Sequence, residues 1–165
     1  MPVSKRRSSC AKGRSKTLSE KGEVQVRPVA DADLGDIVAL DEKISGKYRP
    51  DVWEKRLGYY VRRDPDASVV AVSDGRVLGF MFGEVRSGEF GLEEPTGWIE
   101  VLGVDPAARG RSIGRKLAES MLIHFKSKGA TTVRTLVDGG MDEIAGFFTS
   151  IGFEPAALRS FQKAL

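Results

Sequence analysis

The chain has 165 residues, room for one domain of ordinary size, and its 41% hydrophobic and 30% charged content is that of a globular protein in water. One cysteine, Cys10, excludes an intramolecular disulfide framework or a CxxC metal knuckle, and one histidine, His124, excludes an HExxH zinc site. No apolar run reaches the ~18–20 residues that span a bilayer, so no membrane is expected as a partner. In chain order, residues 1–22 carry seven basic side chains against one acid. That +6 concentrates the basic excess at one end, since the whole chain is only +3 and the other 143 residues are therefore −3. Ser, Lys, Arg and Gly dominate this stretch, and Leu18 is its one aliphatic side chain larger than Ala after Val3. Such a segment buries too little apolar surface to offset its ordering entropy and reads as a disordered basic tail ahead of a domain at 23–165. A nucleic-acid or acidic-partner arm is the rival reading of the tail. No aromatic is interleaved there for base stacking, so nucleic acid is not expected as a partner. No apolar stretch follows the basic start, so a secretory signal is not expected and the cytoplasm is the expected compartment.

Regular patterning begins at residue 24. Residues 24–29 alternate with period two, a strand. Asp31 is placed to cap a helix with Leu34, Ile37, Val38 and Ile44 on its apolar face. A second helix is predicted over 50–63, with Pro50 in its first turn. Strands follow at 68–74 and 76–85, joined by Asp74-Gly75, a strong hairpin signal. Residues 87–95 form a Gly- and Glu-containing loop closed by Pro95. A strand over 98–104 leads through a turn of small residues into an amphipathic helix at 112–128, with Ile113, Leu117, Met121, Leu122 and Phe125 on one face. A strand at 131–137, a short helix at 142–150 and a final strand over 153–165 complete the pattern. This is a single mixed α/β domain containing a hairpin and a strand–helix–strand crossover.

One segment carries most of the chemical information. In Leu102-Gly103-Val104-Asp105-Pro-Ala-Ala-Arg109-Gly-Arg-Ser-Ile-Gly114-Arg115 a strand runs into a turn, and the turn into a long helix. Small residues at Gly110, Ser112 and Gly114 let a ligand approach the backbone. The first N–H groups of the helix have no internal partner and lie at the positive end of its dipole. Together with Arg109, Arg111 and Arg115 they make an anion site suited to a phosphate or pyrophosphate. The segment is neither a Walker loop nor a dinucleotide fingerprint, because GxxxxGK and GxGxxG are both absent.

Arg109-Gly-Arg-Ser-Ile-Gly114 resembles the acyl-coenzyme A motif of the Gcn5-related N-acetyltransferases, the GNAT family, and Ala145-Gly-Phe-Phe-Thr-Ser-Ile-Gly-Phe153 is similar to that family's later motif. The resemblance extends over residues 24–165. It implies a GNAT-like fold: a mixed central sheet flanked by helices, with a bulged and splayed central strand pair that admits the pantetheine arm at Leu102, Gly103 and Val104. It also implies acetyl-coenzyme A as acyl donor, no metal, pyrophosphate contacts from Arg109, Gly110, Arg111, Ser112, Ile113, Gly114 and Arg115, and transfer of acetyl to a primary amine. The family's Gly at the fourth motif position is Ser112 here, which at a helix start is able to cap. Its usual tyrosine acid is Phe148, which leaves the thiolate to depart unassisted. Its pantetheine-binding Asn is Asp142, which equally suits the helix dipole.

Glu100 lies within an otherwise apolar strand, where an acid is not expected from core packing alone. It reads either as the catalytic base, with burial raising its pKa, or as a solvated surface acid. Tyr59 and Tyr60 line the acceptor site or belong to the core. Phe147 reads mainly as packing. Glu93 and Glu94 attract a cationic acceptor or are simply solvated, and His124 reads as a satisfied mid-helix histidine. Two rival functions stand beside the transferase: a non-catalytic acyl-coenzyme A sensor, favoured by Phe148, and a nucleic-acid-associated module using the tail. The amine acceptor is not legible, nor is the oligomeric state, a dimer included.

Overall fold

The computed structural model describes residues 22–91 and 93–165, so the expected tail and Cys10 fall outside the described residues, apart from Gly22. Strands β1 (Gln25–Pro28), β2 (Ser68–Ser73), β3 (Arg76–Arg86), β4 (Thr96–Val104) and β5 (Thr132–Thr135) form one sheet in the order β1-β2-β3-β4-β5. The first four are antiparallel neighbours, and β5 runs parallel to β4. That parallel pair requires a crossover, which α3 (Ile113–Ser127) supplies. Helices α1 (Leu34–Ser45) and α2 (Pro50–Arg63) precede β2, and α4 (Asp142–Ser150) follows β5.

Period-two alternation divides the core between the two faces of the sheet. Val69, Ala71, Met81 and Ile99 pack with Leu117, Met121 and Phe125 of α3. Val70, Phe80 and Phe82 pack with Ile37 of α1 and Trp53 and Leu57 of α2. Residues 50–63 form the expected helix. Asp74 and Gly75 have φ of 51° and 72°, the paired left-handed values that a two-residue hairpin turn of this twist needs. No helix among the described residues is long and apolar enough to cross a membrane.

β4 carries one residue too many for its partner. Phe82 pairs with Val101, but Gly83 pairs with Ile99, so Glu100 has no counterpart on β3. This is a β-bulge. It turns Ile99 into the α3-side core and Val101 into the opposite one, two residues apart on the same strand. Gly83 permits it, since a Cβ there would stand 2.1 Å from the Trp98 carbonyl oxygen. Pairing of β4 with β5 ends at Ile99↔Thr135, so residues 100–104 have no neighbour on that side. The central pair is therefore splayed, as the resemblance implies.

Two expectations need correction. Residues 153–165 form no strand. Pro155 has no N–H for a ladder, and Leu158, Phe161 and Leu165 are spaced by three and four residues rather than two, so no single strand face would be apolar. Asp31 opens a short 3-10 turn instead of capping α1; Asp33 takes the position before α1 without a side-chain cap to it, its carboxylate instead accepting the Ala30 N–H at 2.9 Å, across the 3-10 turn, and a bidentate pair from Arg27 at 2.7 and 2.8 Å.

Arg27 holds the Asp33 carboxyl below the usual carboxylate range, and Arg49, at 2.8 Å, does the same for Asp41. Both carboxyls are lowered on folding, so their stabilisation is complete above the unfolded value of about 3.9 and is lost as pH falls through the folded values. The melting temperature is expected to hold down to about pH 5 and to drop below about pH 4, with Asp41→Asn giving a shallower acid slope in a thermal-melt series. Gly83→Ala is expected to destabilise by about 2–3 kcal/mol in urea unfolding, because its Cβ meets backbone that cannot yield locally.

Candidate functional site

The open end of β4 borders a cleft of about 410 Å³. Leu102, Gly103 and Val104 form one side, and the turn and first residues of α3 form another, through Arg109, Gly110, Ser112, Ile113, Gly114 and Arg115. Ile144, Phe147 and Ile151 of the α4 region face them, and Ile44 of α1 closes one end. The turn is anchored before it reaches the cleft. The Asp105 N–H donates to the Leu78 carbonyl at 2.8 Å, and its carboxylate accepts the Ala107 N–H at 2.8 Å and Lys43 Nζ at 2.6 Å. Burial alone would raise the Asp105 carboxyl; Lys43 and the Ala107 N–H outweigh it, so the carboxyl lies below its ordinary value.

Left-handed backbone at Gly110 (φ 79°) and Ser112 (φ 57°) curls this turn, a conformation that gathers N–H groups into a concave anion site. The first helical hydrogen bond of α3 is Lys116 N–H to Ser112 O at 3.0 Å, so the N–H groups of Ile113, Gly114 and Arg115 have no helical acceptor. Ile113 is buried, its side chain packed in the core with Leu117 and Met121, and it also borders the cleft. Arg109 pairs with Glu143 at 2.9 Å and Arg115 donates to the Ser150 carbonyl at 3.1 Å, so one joins the turn before α3, and the other α3 itself, to α4.

Nine of the expected donor-site residues thus meet in one place, and three do not. Arg111 points away and donates to the Gly22 carbonyl at 2.8 Å. Asp142 is exposed in the first turn of α4 and does not line the cleft. Phe148 is buried, with its ring 5.1 Å from that of Phe147 and 5.0 Å from that of Phe153; it is Phe147 that faces the cleft. Gly103 has no room for a side chain. A Cβ there would lie 2.6 Å from the Phe80 ring and 3.0 Å from Ile44, so the chain's own core excludes it.

Glu100 occupies the bulge, where the strands part. It is exposed, as the solvated reading had it and not as a buried base, and both its oxygens are engaged: Oε2 accepts from the Tyr60 hydroxyl and Oε1 pairs with Arg86. Tyr60 is buried, and burial first and then the charge of Glu84 push its phenol above the ordinary value, so it serves as a donor at neutral pH. Behind this pair lies Glu84, only 3% exposed, which accepts the Tyr59 hydroxyl at 3.1 Å and pairs with Arg63 at 2.6 Å and Arg86 at 2.5 Å. Sequence reading missed Glu84 and Arg86. The signal for Glu84 was the one used for Glu100, an acid inside an apolar strand. Glu94 accepts Thr131 Oγ1 at 2.8 Å, and His124 Nε2 lies within hydrogen-bond reach of Asp64 Oδ2 at 2.9 Å.

Comparison with known proteins fits this geometry. A family profile described as acetyltransferase (GNAT) family matches residues 35–153. A mycothiol acetyltransferase from Nocardia farcinica is 32% identical over 108 residues, 66% of this chain and 33% of that protein. Another from Thermobispora bispora is 33% identical over 90 residues, 54% of this chain and 30% of that protein. The matched region therefore spans about a third of these relatives. Among solved structures, the aminoglycoside N-acetyltransferase AAC(6')-Iy in complex with CoA superposes with a TM-score of 0.77 at 18% identity, covering 89% of this chain and 98% of that one. An acetyltransferase from Trypanosoma brucei superposes with a TM-score of 0.65 at 22% identity, covering 87% of this chain and 100% of that one. At these identities the structures speak to the fold.

Ser112 sits in the left-handed region without a side-chain capping hydrogen bond, so the expected cap is not made. Ser112→Gly is expected to raise stability by about 1 kcal/mol, read as a higher midpoint in urea unfolding with an unchanged slope.

Proposed function

Because this chain belongs to the GNAT acetyltransferase family, we propose that it moves an acetyl group from acetyl-coenzyme A to a primary amine. The observation that carries this reading is the strand edge at residues 100–104, unpaired towards β5 and opening directly into the anion-binding turn. An extended pantetheine arm pairs with that edge as an added strand. The N–H groups of residues 110–115, with Arg109 and Arg115, hold the pyrophosphate, and the apolar side chains of Ile44, Ile144 and Phe147 exclude water along the arm.

With the donor so held, the thioester lies beside Glu100. The amine nitrogen attacks the thioester carbon, a C–N bond forms, and the C–S bond breaks. The proton lost by the amine passes to Glu100, directly or through water. A backbone N–H near Leu102 or Gly103 stabilises the carbonyl oxygen as charge develops. The departing thiolate takes its proton from solvent, because Phe148 carries no hydroxyl and is packed in the core. A thiol pKa of about 8.5 makes that departure feasible without a dedicated acid. The acceptor enters from the α2 side, where Tyr59 is 42% exposed at the edge of the Glu84 and Glu100 cluster. The names of the relatives and structural neighbours, mycothiol and aminoglycoside acetyltransferases, agree with an amine-bearing small molecule.

Acetyl-coenzyme A at about a hundred times its Kd is expected to add about 2.7 kcal/mol of stability, seen as a rise in melting temperature. Arg109→Ala with Arg115→Ala should weaken that binding about tenfold or more. No thermal shift at millimolar donor would sink the reading. A panel of spermidine, kanamycin, lysine and a peptide with a free N-terminus, followed by thiol release, identifies the acceptor class; binding of donor with no product from any amine would favour a sensor. In the productive case Glu100→Gln is expected to lower kcat/KM about 100-fold with donor affinity unchanged.

A further inference from the structure

Three carboxylates converge on one guanidinium beyond the end of the donor cleft. Arg86 donates through Nε to Glu84, approaches Glu89 with Nη1 at 3.4 Å, and pairs through Nη2 with Glu100. Its backbone lies opposite Thr96, four residues along β4 from Glu100, so the side chain runs back over the sheet. On the way its guanidinium carbon passes 5.9 Å from the centre of the Trp98 ring. The anchored end is Glu84, buried and also held by Arg63 and the Tyr59 hydroxyl. The free end is Glu100, on a bulge residue with no strand partner on either side.

A backbone released from both neighbours does not by itself hold a carboxylate in one place. Here two different elements do so: α2 through the Tyr60 hydroxyl on one oxygen, and β3 through Arg86 on the other. An isolated exposed ion pair contributes little, but this guanidinium is only 22% exposed and shares a fixed, nearly buried counterion. We propose that Arg86 is a positioning residue that keeps the Glu100 carboxylate ionised and in one orientation at the mouth of the parted strands. The proposal rests on Glu100 being the proton acceptor argued above.

The groups facing Glu100 are few. From α2 they are Tyr60, with Tyr59, Arg56 and Arg63 around it; from β3, Glu84 and Arg86; from the turn Glu89–Gly91, Glu89. β4 contributes no other ionisable side chain, and the nearest cation of α1, Lys43, is committed to Asp105. Arg86 is thus the cation in direct contact with this carboxylate, and its removal leaves Glu84 and Glu89 as neighbours of like charge. Opposite charge at contact lowers a carboxylate pKa by about 1–3 units, and like charge acts the other way.

The test compares wild type, Arg86→Gln, Arg86→Lys, Glu100→Gln and the double variant Glu100→Gln/Arg86→Gln. Arg63 still pairs with Glu84 in the Arg86 variants, and far-ultraviolet circular dichroism checks that each is folded. Two readouts are used. One is the pH profile of kcat/KM at saturating acetyl-coenzyme A, with whichever amine of the panel above is turned over fastest. The other needs no acceptor: carboxyl carbon NMR of glutamate-labelled protein, with the Glu100 resonance assigned by its loss in Glu100→Gln. Arg86→Gln is expected to move the Glu100 titration and the acid limb of kcat/KM upward by about one pH unit or more, with donor affinity unchanged. Arg86→Lys should restore the limb but not the full rate, because an ammonium keeps the charge and loses the forked geometry. The double variant should be no slower than Glu100→Gln. If Glu100→Gln is slow but Arg86→Gln moves neither the titration nor the limb, the positioning role is overturned and the base assignment stands. If Glu100→Gln retains full turnover, the base assignment fails and takes the positioning role with it.

Discussion

A strand that carries one extra residue cannot stay in register with its neighbours, and the features of this domain that bear on chemistry follow from that constraint on β4. The extra residue is Glu100. Up to Ile99 the strand is paired on both sides, and past it β5 no longer follows. The same step that presents a carboxylate at the sheet surface also bares a length of backbone next to the turn at 109–114. Gly83 is the residue that tolerates the distortion, and it lies on the neighbouring strand. The energetic cost of broken pairing is met by packing on both faces: Ile99 and Val101 are driven into opposite cores.

The two halves of the site are built on different physics. The side proposed for the donor is mostly main chain: N–H groups at the start of α3, a curled turn stiffened by Asp105, and apolar walls, with Arg109 and Arg115 beside them. Such a surface recognises charge and extended shape with little demand on side-chain identity, which is why Arg111, Asp142 and Phe148 can be turned to other tasks without dismantling it. The opposite side is a network of side chains, in which Glu84, Arg86, Glu100, Tyr59 and Tyr60 depend on one another across α2, β3 and β4. Change at any one of those positions is therefore felt by the others.

How much of this was legible beforehand follows from the range of the interactions involved. Local chemistry read well: the hairpin at Asp74-Gly75, the helix at 50–63 and the glycine- and arginine-bearing turn all depend on residues next to one another in sequence. The bulge was legible only through resemblance, because nothing in 96–104 taken alone shows that one residue lacks a counterpart on another strand. The Glu84–Arg86–Glu100 network joins side chains whose meeting depends on that register. The expected strand at 153–165 failed because its apolar residues never alternate, and the expected cap at Ser112 is not made by a residue whose backbone sits in the left-handed region.

The sheet is a thin partition at Gly103. The Phe80 ring, part of the core beneath α1 and α2, fills the space where a side chain would stand, and Ile44 of α1 both touches that glycine and lines the donor cleft. One helix therefore serves as a common wall for two compartments. A small displacement of α1, whatever its origin, moves Ile44 and so alters the width of the cleft on the other side of Gly103, which ties the packing beneath the helices to the shape of the opening.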